Sequence, residues 1–199
     1  MRRDRFVTGV VLAAGASSRL GQPKQLLPYR GATLLDHVLD TARQSGFDQL
    51  VVALGGAADQ VRARVDLSGA TVVVNETYRS GCSSSVAAAV DRLDPRSDVL
   101  VLLLGDQPGV TPATVASLLE GRNGAALAVC RYDDFRGHPF AFARACFSDL
   151  ARLHGDRAVW KLLDQRSDEV VDVRIPGPVP PDVDTWGDYE AVMTAAGSR

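Results

Sequence analysis

Residues 7–28 have the sequence VTGVVLAAGASSRLGQPKQLLP. The apolar run from Val7 to Leu12 predicts a buried strand. Small residues follow it, namely Gly15, Ala16, Ser17, Ser18 and Gly21. A loop of small residues lets backbone N–H groups approach an anion, as in the nests that bind phosphates. Because Arg19 and Lys24 add two positive charges, the stretch predicts a strand that leads into a polyphosphate-binding loop.

This loop differs from two common phosphate-binding motifs. Gly15 and Gly21 have five residues between them and no Gly-Lys-Ser/Thr follows, so the loop is not that of the common NTPases. The turn also lacks the G-x-G-x-x-G fingerprint of dinucleotide-binding domains. The sequence therefore points to another class of phosphate-binding fold.

The stretch resembles the signature of the MobA-like nucleotidyltransferases, L-A-[AG]-G-x-S-x-R-x-G-x-x-K-x-L. Every fixed position of that signature is met between Leu12 and Leu26. The resemblance extends from about Val7 to Tyr189, which is nearly the whole chain. It implies a three-layer α/β, Rossmann-like nucleotidyltransferase fold with a mostly parallel central sheet.

The N-terminus also has some features of a signal peptide. Arg2, Arg3 and Arg5 precede an apolar segment that ends in small residues. Thr8 and Gly9 interrupt that segment, and cleavage would destroy the signature. We therefore expect this region to be part of the folded domain.

Composition narrows the class of protein. A chain of 199 residues suits one domain over 1–199, and its formal charge of −2 argues against an extended nucleic-acid surface. No apolar run approaches the ~20 residues that span a bilayer. Cys82, Cys130 and Cys146 are an odd number at unrelated spacings, which predicts reduced thiols in a cytoplasmic protein rather than disulfides or a zinc site.

Apolar runs alternate with helical patterns along the chain. Strands are predicted over 7–12, 49–54, 71–74, 99–104, 125–130, 140–142 and 170–175. Helices are predicted over 33–42, 59–65, 113–119, 147–153, 157–165 and 188–196. Such alternation is typical of βαβ units and a parallel sheet. Residues 99–104, VLVLLL, are apolar on both faces and predict a central parallel strand.

Ligands of such sheets bind at the carboxyl ends of the strands. The pattern therefore predicts four segments along one edge, namely the signature loop and residues 75–85, 105–109 and 136–139.

Asp106 follows the most apolar strand of the chain, in the sequence Gly-Asp-Gln-Pro. A carboxylate at that position can hold Mg²⁺ together with substrate phosphates, although the same residues also suit a plain turn. The residues alone leave both interpretations open. The resemblance decides between them, because the family has a G-D-x-P segment whose Asp binds Mg²⁺.

A second metal-binding carboxylate is expected near the C-terminus. Residues 182–185, Asp-Val-Asp-Thr, resemble the family segment D-x-D-T-P-x-D-Y, in which Asp184 takes the metal-side position and Asp182 is the alternative. Trp186 replaces the usual Pro. Thr185 and Asp188 also have the spacing of a helix cap, which would leave Asp184 available.

Residues 75–85 resemble the family segment N-x-x-Y-x-x-G-x-x-S-S, which lies against the base and ribose. Three serines that open a helix offer hydroxyls and unpaired N–H groups, although a plain cap needs only one of them. The resemblance implies that the nucleotide-binding residues are Leu12, Ala13, Ala14, Gly15, Ser17, Ser18, Arg19, Lys24, Asn75, Gly81, Ser84 and Asp106.

The acceptor side is less well matched. Gly137-His138-Pro139 matches a G-H-P segment of the molybdenum cofactor branch, and the resemblance implies substrate-binding roles for Gln107, His138 and Pro139. Residues 155–160 resemble the family stretch G-D-x-G-A-R, but Ala158 and Trp160 replace its Gly and its Arg.

The resemblance implies transfer of an NMP from an NTP to a phosphate-bearing acceptor, with Mg²⁺ as cofactor and release of pyrophosphate. Arg19, Lys24 and Asp106 would be the catalytic residues. Leu-Ala-Ala-Gly, Gly-Asp-Gln-Pro and Gly-His-Pro are most similar to the cytidylyltransferases that couple CTP to molybdopterin.

Several alternatives stay open. A guanylyltransferase that uses GTP on the same cofactor, or a sugar- or alcohol-phosphate nucleotidyltransferase, would share the loop and the acids. A nucleotide-binding carrier that passes the cofactor to a molybdoenzyme or its chaperone would need no turnover. A sensor or structural α/β domain would bind no nucleotide.

Overall fold

One seven-stranded sheet extends across the molecule in a computed structural model that describes residues 5–155 and 157–197. The strands are β1 (Phe6–Ala13), β2 (Pro28–Tyr29), β3 (Ala32–Thr33), β4 (Gln49–Leu54), β5 (Thr71–Val74), β6 (Ser97–Leu104), β7 (Leu127–Arg131), β8 (Arg136–Ala143) and β9 (Val170–Arg174). β2 and β3 form a hairpin, and the others lie in the order β5-β4-β1-β6-β8-β7-β9. Only β8, among the described strands of this sheet, runs antiparallel to its neighbours. The predicted mostly parallel sheet is confirmed.

Helices cover both faces of the sheet. They are α1 (Leu34–Gln44), α2 (Ala58–Arg64), α3 (Cys82–Val90), α4 (Pro112–Gly121), α5 (Phe147–Ala151), α6 (Ala158–Gln165) and α7 (Trp186–Gly197). α1, α2 and α4 pack in the core on one face, and α3, α5 and α6 pack in the core on the other. This arrangement confirms the predicted three layers. None of the described helices is both long and apolar enough to cross a bilayer.

The two central strands explain why the sheet is covered on both sides. Val11 of β1 and Val101 of β6 contribute to one core, whereas Val10 and Leu102 contribute to the other. Successive side chains of a strand point to opposite faces, so a strand that is apolar at every position needs cover on both. The continuous runs in the sequence therefore fix the layered fold.

The local signals for α1 are also confirmed. The Thr33 hydroxyl accepts a hydrogen bond from the Asp36 N–H, and the Asp36 carboxylate accepts one from the Thr33 N–H, both at 3.1 Å. This reciprocal pair is a capping box. Beyond the helix end, Gly46 has φ +67°, a left-handed conformation that favours glycine.

β8 differs from the prediction. The sequence predicts a strand over 140–142, but β8 begins at Arg136, because Arg136 and Gly137 pair with Arg131 and Cys130 of β7. Residues 136–139 therefore lie in a strand rather than in a loop. They still reach the expected edge, since the amino end of an antiparallel strand lies beside the carboxyl ends of its neighbours.

Candidate active site

The signature loop is held by its own hydrogen bonds. The Ser17 carbonyl accepts bonds from the N–H groups of Leu20 (3.1 Å) and Gly21 (3.2 Å), and the Ser17 hydroxyl accepts one from the Lys24 N–H at 3.0 Å. Gly21 has φ +71°, which favours glycine at this turn. The small residues of the signature thus shape the loop that positions Lys24.

The side chain of Gln25 also helps to hold the signature loop in place. Its side chain is buried, and its Nε2 donates to the carbonyl oxygens of Ala13 (2.7 Å) and Gly15 (3.3 Å). These bonds tie the end of β1 to the start of the loop. Our sequence reasoning missed Gln25, because its partners are backbone groups that no side-chain pattern reveals.

Three remote segments converge on Lys24. Its Nζ contacts the carboxylate of Asp106 and lies 2.7 Å from Oδ1 of Asp184. Nη2 of Arg19 lies 2.7 Å from Oδ2 of Asp184. The side chains of Lys24 and Asp106 are each only 12% exposed, whereas that of Asp184 is 40% exposed. Four predicted site residues therefore form one cluster of charges.

Burial and pairing act in opposite directions on these groups. Burial raises the pKa of Asp106, and the Lys24 ammonium only partly offsets this effect. Burial would lower the pKa of Lys24, but the two carboxylates raise it overall. Burial would also raise the pKa of Asp184, but Lys24 and Arg19 hold it below its usual range. Lys24 is therefore a fixed positive charge at neutral pH.

Asp184 and Asp182 occupy different positions in this cluster. Both line a cavity at this edge of the sheet. Asp184 contacts Lys24, whereas Asp182 forms no ion pair within residues 5–155 and 157–197. Thr185 and Asp188 cap α7, with Asp188 Oδ2 accepting from the Thr185 N–H at 2.7 Å. The cap is thus present and leaves the Asp184 carboxylate facing Lys24.

A cavity of about 1080 Å³ opens at this edge of the sheet. Its volume slightly exceeds the usual range for ligand sites and is enough for a nucleotide and a second substrate. The predicted residues that line it are Leu12, Ala13, Ala14, Gly15, Ser18, Arg19, Lys24, Gly81, Asp106 and Asp184. Its wall also includes residues that we did not assign to the site, namely Tyr78, Arg79, Cys82, Ser85, Leu104, Arg157 and Trp160.

Asn75 and Ser84 are not among the described residues that line this cavity. Nδ2 of Asn75 donates to the hydroxyls of Ser84 (2.8 Å) and Ser85 (2.9 Å), and its Oδ1 accepts from the N–H of Thr77 at 3.0 Å. Asn75 therefore fixes the segment before α3 against the start of that helix. Direct nucleotide contacts by Asn75, Ser84 and Ser17 stay predictions.

Gln107 connects Asp106 to the proline-rich segment 176–181. Its side chain is buried, and its Nε2 donates to the carbonyl of Pro180 at 2.5 Å. The Val183 N–H donates to the Asp106 carbonyl at 3.1 Å. These bonds bring residues 182–184 to Asp106. The substrate-binding role of Gln107 stays a prediction, and the structure gives this residue a positioning contact instead.

We expect Gln107→Leu to lower the free energy of unfolding by about 0.5–1.5 kcal/mol, because it removes one partly buried hydrogen bond. It should also weaken activity, since residues 182–184 would lose one of the contacts that position them beside Asp106. Urea unfolding and steady-state kinetics measure the two effects. Gln165→Leu, at an exposed position on α6, is the matched control and should change neither. Wild-type behaviour of Gln107→Leu would contradict this role.

His138 and Pro139 lie outside the described lining of the cavity. The His138 ring stacks on Phe140 with 4.0 Å between centroids, and its carbonyl accepts from the Tyr132 hydroxyl at 2.7 Å. Burial lowers the pKa of His138 to about 3. The imidazole is therefore neutral at pH 7. Its ring centroid lies 6.3 Å from that of Trp160. Substrate contacts by His138 and Pro139 stay predictions.

This low pKa predicts a pH dependence of stability. Between about pH 6.5 and 3 the unfolded chain binds a proton on His138 that the folded chain does not, so stability falls as pH falls, by up to about 1.4 kcal/mol per unit. We expect His138→Phe to lose less stability over this range, as measured by urea unfolding at pH 7, 5 and 4. An unchanged slope would contradict a histidine that stays neutral in the folded protein.

Comparison with known proteins agrees with this geometry. Residues 9–170 match the family described as the MobA-like NTP transferase domain. The chain belongs to this family. The family implies a nucleoside triphosphate as substrate, which suits a loop of small residues beside Lys24 and Arg19.

Two known proteins have sequences similar to that of this chain. Nicotine blue oxidoreductase of Paenarthrobacter nicotinovorans is 40% identical over 141 residues, which are 67% of this chain and 69% of that protein. Bifunctional protein GlmU of Paraburkholderia phymatum is 38% identical over 133 residues, 65% of this chain. This chain spans only 29% of GlmU.

Solved structures of similar proteins have the same fold. Rv0371c of Mycobacterium tuberculosis H37Rv is 52% identical, with a TM-score of 0.91 over 96% of this chain and 98% of that one. Rv0371c in complex with manganese gives a TM-score of 0.87 at 49% identity, over 96% and 99% of the chains. A nucleotidyl transferase from Methanothermobacter thermautotroptrophicus is 23% identical, with a TM-score of 0.83 over 97% and 98%, and shows the fold alone.

Proposed function

We propose that this MobA-like protein is a cytoplasmic nucleotidyltransferase that moves CMP from CTP onto the phosphate of molybdopterin, with release of pyrophosphate. The contact of Lys24 with both Asp106 and Asp184 carries the proposal. A protein that only binds a nucleotide has no need for a second carboxylate beside the phosphate loop. Paired carboxylates are expected where a metal ion assists phosphoryl chemistry.

The donor set fits Mg²⁺ as the cofactor. Asp106 and Asp184 supply carboxylate oxygens, and Mg²⁺ commonly binds through one or two carboxylates plus substrate phosphates. Within the described residues no three metal-ligating side chains are grouped closely enough to hold a metal. The manganese complex of Rv0371c, 49% identical to this chain, also supports a divalent cation. When bound, Mg²⁺ would supply neutralisation of phosphate charge at the reacting centre.

The chain's own groups would position the substrates and stabilise charge. Lys24, Arg19 and the loop N–H groups would bind the β- and γ-phosphates and neutralise the charge that develops on pyrophosphate as it leaves. The acceptor needs no general base, because a phosphate monoester has a second pKa of about 6 and is ionised near neutral pH. Catalysis then consists of positioning and electrostatic stabilisation.

The preference for CTP rests on three short segments. Leu-Ala-Ala-Gly at 12–15, Gly-Asp-Gln-Pro at 105–108 and Gly-His-Pro at 137–139 are most similar to the cytidylyl branch. GTP with the same acceptor is the nearest alternative, and sugar or alcohol phosphates are the next.

An oxidoreductase is a second candidate, because nicotine blue oxidoreductase is 40% identical to this chain. A loop that binds the phosphates of an NTP also suits the diphosphate of a dinucleotide. This candidate predicts an oxidation–reduction reaction and no release of pyrophosphate.

The test is pyrophosphate release from CTP, GTP, ATP and UTP with Mg²⁺, with and without molybdenum cofactor. We expect release that is selective for CTP and requires the cofactor. Selectivity for GTP would move the protein to the guanylyl branch. Nucleotide binding in calorimetry without any release would favour a carrier and contradict the enzyme.

A further inference from the structure

One part of the cavity is not used by the proposed nucleotide contacts. Trp160 on α6 and Arg157, just before that helix, form this part of the wall. We propose that they are a subsite for the acceptor and that they select a flat aromatic ring that carries an anionic group. This inference rests on the proposed transfer reaction and assigns the residues that would recognise its second substrate.

The order of the strands places this subsite on the correct side of the reacting centre. The signature loop follows β1, Asp106 follows the neighbouring β6, and Trp160 contacts Phe140 of β8, the next strand along. Asp106 therefore lies between the phosphate loop and Trp160. Phosphoryl transfer needs the attacking and leaving oxygens roughly in line on opposite sides of the phosphorus. An acceptor beside Trp160 would approach opposite to the pyrophosphate.

Aromatic contacts hold the indole ring in place. Its plane is nearly perpendicular to the rings of Phe140, at 86° and 5.0 Å between centroids, and His138, at 87° and 6.3 Å. The indole N–H makes no hydrogen bond to any residue in the described parts of the chain. A rigid aromatic side chain offers stacking area at a small entropic cost. Trp160 is therefore suited to bind a planar ring.

Arg157 supplies positive charge to the same subsite. Lys24 and Arg19, which line the same cavity, already contact carboxylates. The exposed Arg157 side chain, by contrast, pairs with no acidic group within 5–155 or 157–197. Its guanidinium can thus contact an anionic substituent of the ring that stacks on Trp160.

Fluorescence can test this subsite directly, because the chain has only two tryptophans, Trp160 and Trp186. In Trp186→Phe, the emission reports Trp160 alone. The probes are phenyl phosphate and cyclohexyl phosphate, which have the same charge but an aromatic and a saturated ring. We expect phenyl phosphate to quench the emission and to bind about tenfold more tightly than cyclohexyl phosphate, the effect of one stacked ring.

Substitutions then assign the effect to each residue. Trp160→Leu keeps an apolar side chain, so calorimetry should show equal affinities for the two probes in a folded protein. Arg157→Gln should weaken both probes by a similar factor, about threefold. Equal binding of the two probes to the wild type, or a preference for phenyl phosphate that survives Trp160→Leu, would overturn the proposal.

The two proposals fail in different ways. Aromatic selectivity at Trp160 without pyrophosphate release from any NTP would overturn the transfer reaction and support the subsite as a binding site. Pyrophosphate release with the cofactor, but no aromatic selectivity, would support the reaction and overturn the subsite.

Discussion

Replacement of Asp106 by asparagine is expected to lower kcat/KM for pyrophosphate release about 10²–10³-fold, the effect of removing one preorganised electrostatic group. The side chain keeps its size, but it loses the charge that contacts Lys24 and would hold Mg²⁺. Lys24 keeps Asp184 as a partner, so the variant should fold. Steady-state kinetics with CTP and cofactor, with urea unfolding as a control, measure both properties.

Asp182 and Asp184 provide a matched comparison for this result. Asp184→Asn should lower kcat/KM as strongly as Asp106→Asn, because Asp184 also contacts Lys24. Asp182→Asn removes a carboxylate from the same cavity and should cost less than about tenfold, since removal of a charge that makes no direct contact changes the electrostatics less. A larger loss of kcat/KM in Asp182→Asn than in Asp184→Asn would make Asp182 the second metal ligand. Near-normal turnover of Asp106→Asn would contradict the assignment of the active site.

Replacement of Lys24 by methionine is expected to have an equally large effect on turnover, about 10²–10³-fold, because it removes a charge that stabilises the leaving pyrophosphate. The same substitution should strengthen metal binding. In the nucleotide-free protein the ammonium lies between two carboxylates, where it competes with a cation. Its removal should therefore raise the affinity for Mn²⁺ by about tenfold or more.

Electron paramagnetic resonance of free Mn²⁺ measures this affinity without turnover. Lys24→Met combined with Asp106→Asn should lose the gain, because only one of the two carboxylates that contact Lys24 remains. Weaker Mn²⁺ binding by Lys24→Met alone would show that these carboxylates do not form the cation site.

Much of the fold could be predicted from local patterns. The predicted strands over 49–54 and 71–74 match β4 and β5 at both ends, because Gly55 and Asn75 follow the apolar runs directly. The start and direction of β8 could not be predicted. Residues 136–139 have no strand pattern of their own. They form part of β8 because Arg136 and Gly137 pair with β7.

Some residues of the candidate site could likewise be predicted from the sequence, and some contacts could not. The resemblance identified Lys24, Asp106 and Asp184 at distant positions, and the fold brings them into contact. No sequence pattern indicated the contact of Gln107, since its partner is the carbonyl of Pro180, 73 residues later. Gln25 was missed for the same reason, because its partners are backbone carbonyls. Patterns of side chains do not reveal such long-range hydrogen bonds.

The most direct test of the proposed reaction follows the α-phosphorus of CTP. CTP labelled at that atom is incubated with the protein, Mg²⁺ and molybdenum cofactor, and the products are separated. Nucleotidyl transfer predicts label in a covalent molybdopterin product, in equal amount to the pyrophosphate released. Label that stays in CTP or appears only as free CMP would contradict the transfer reaction.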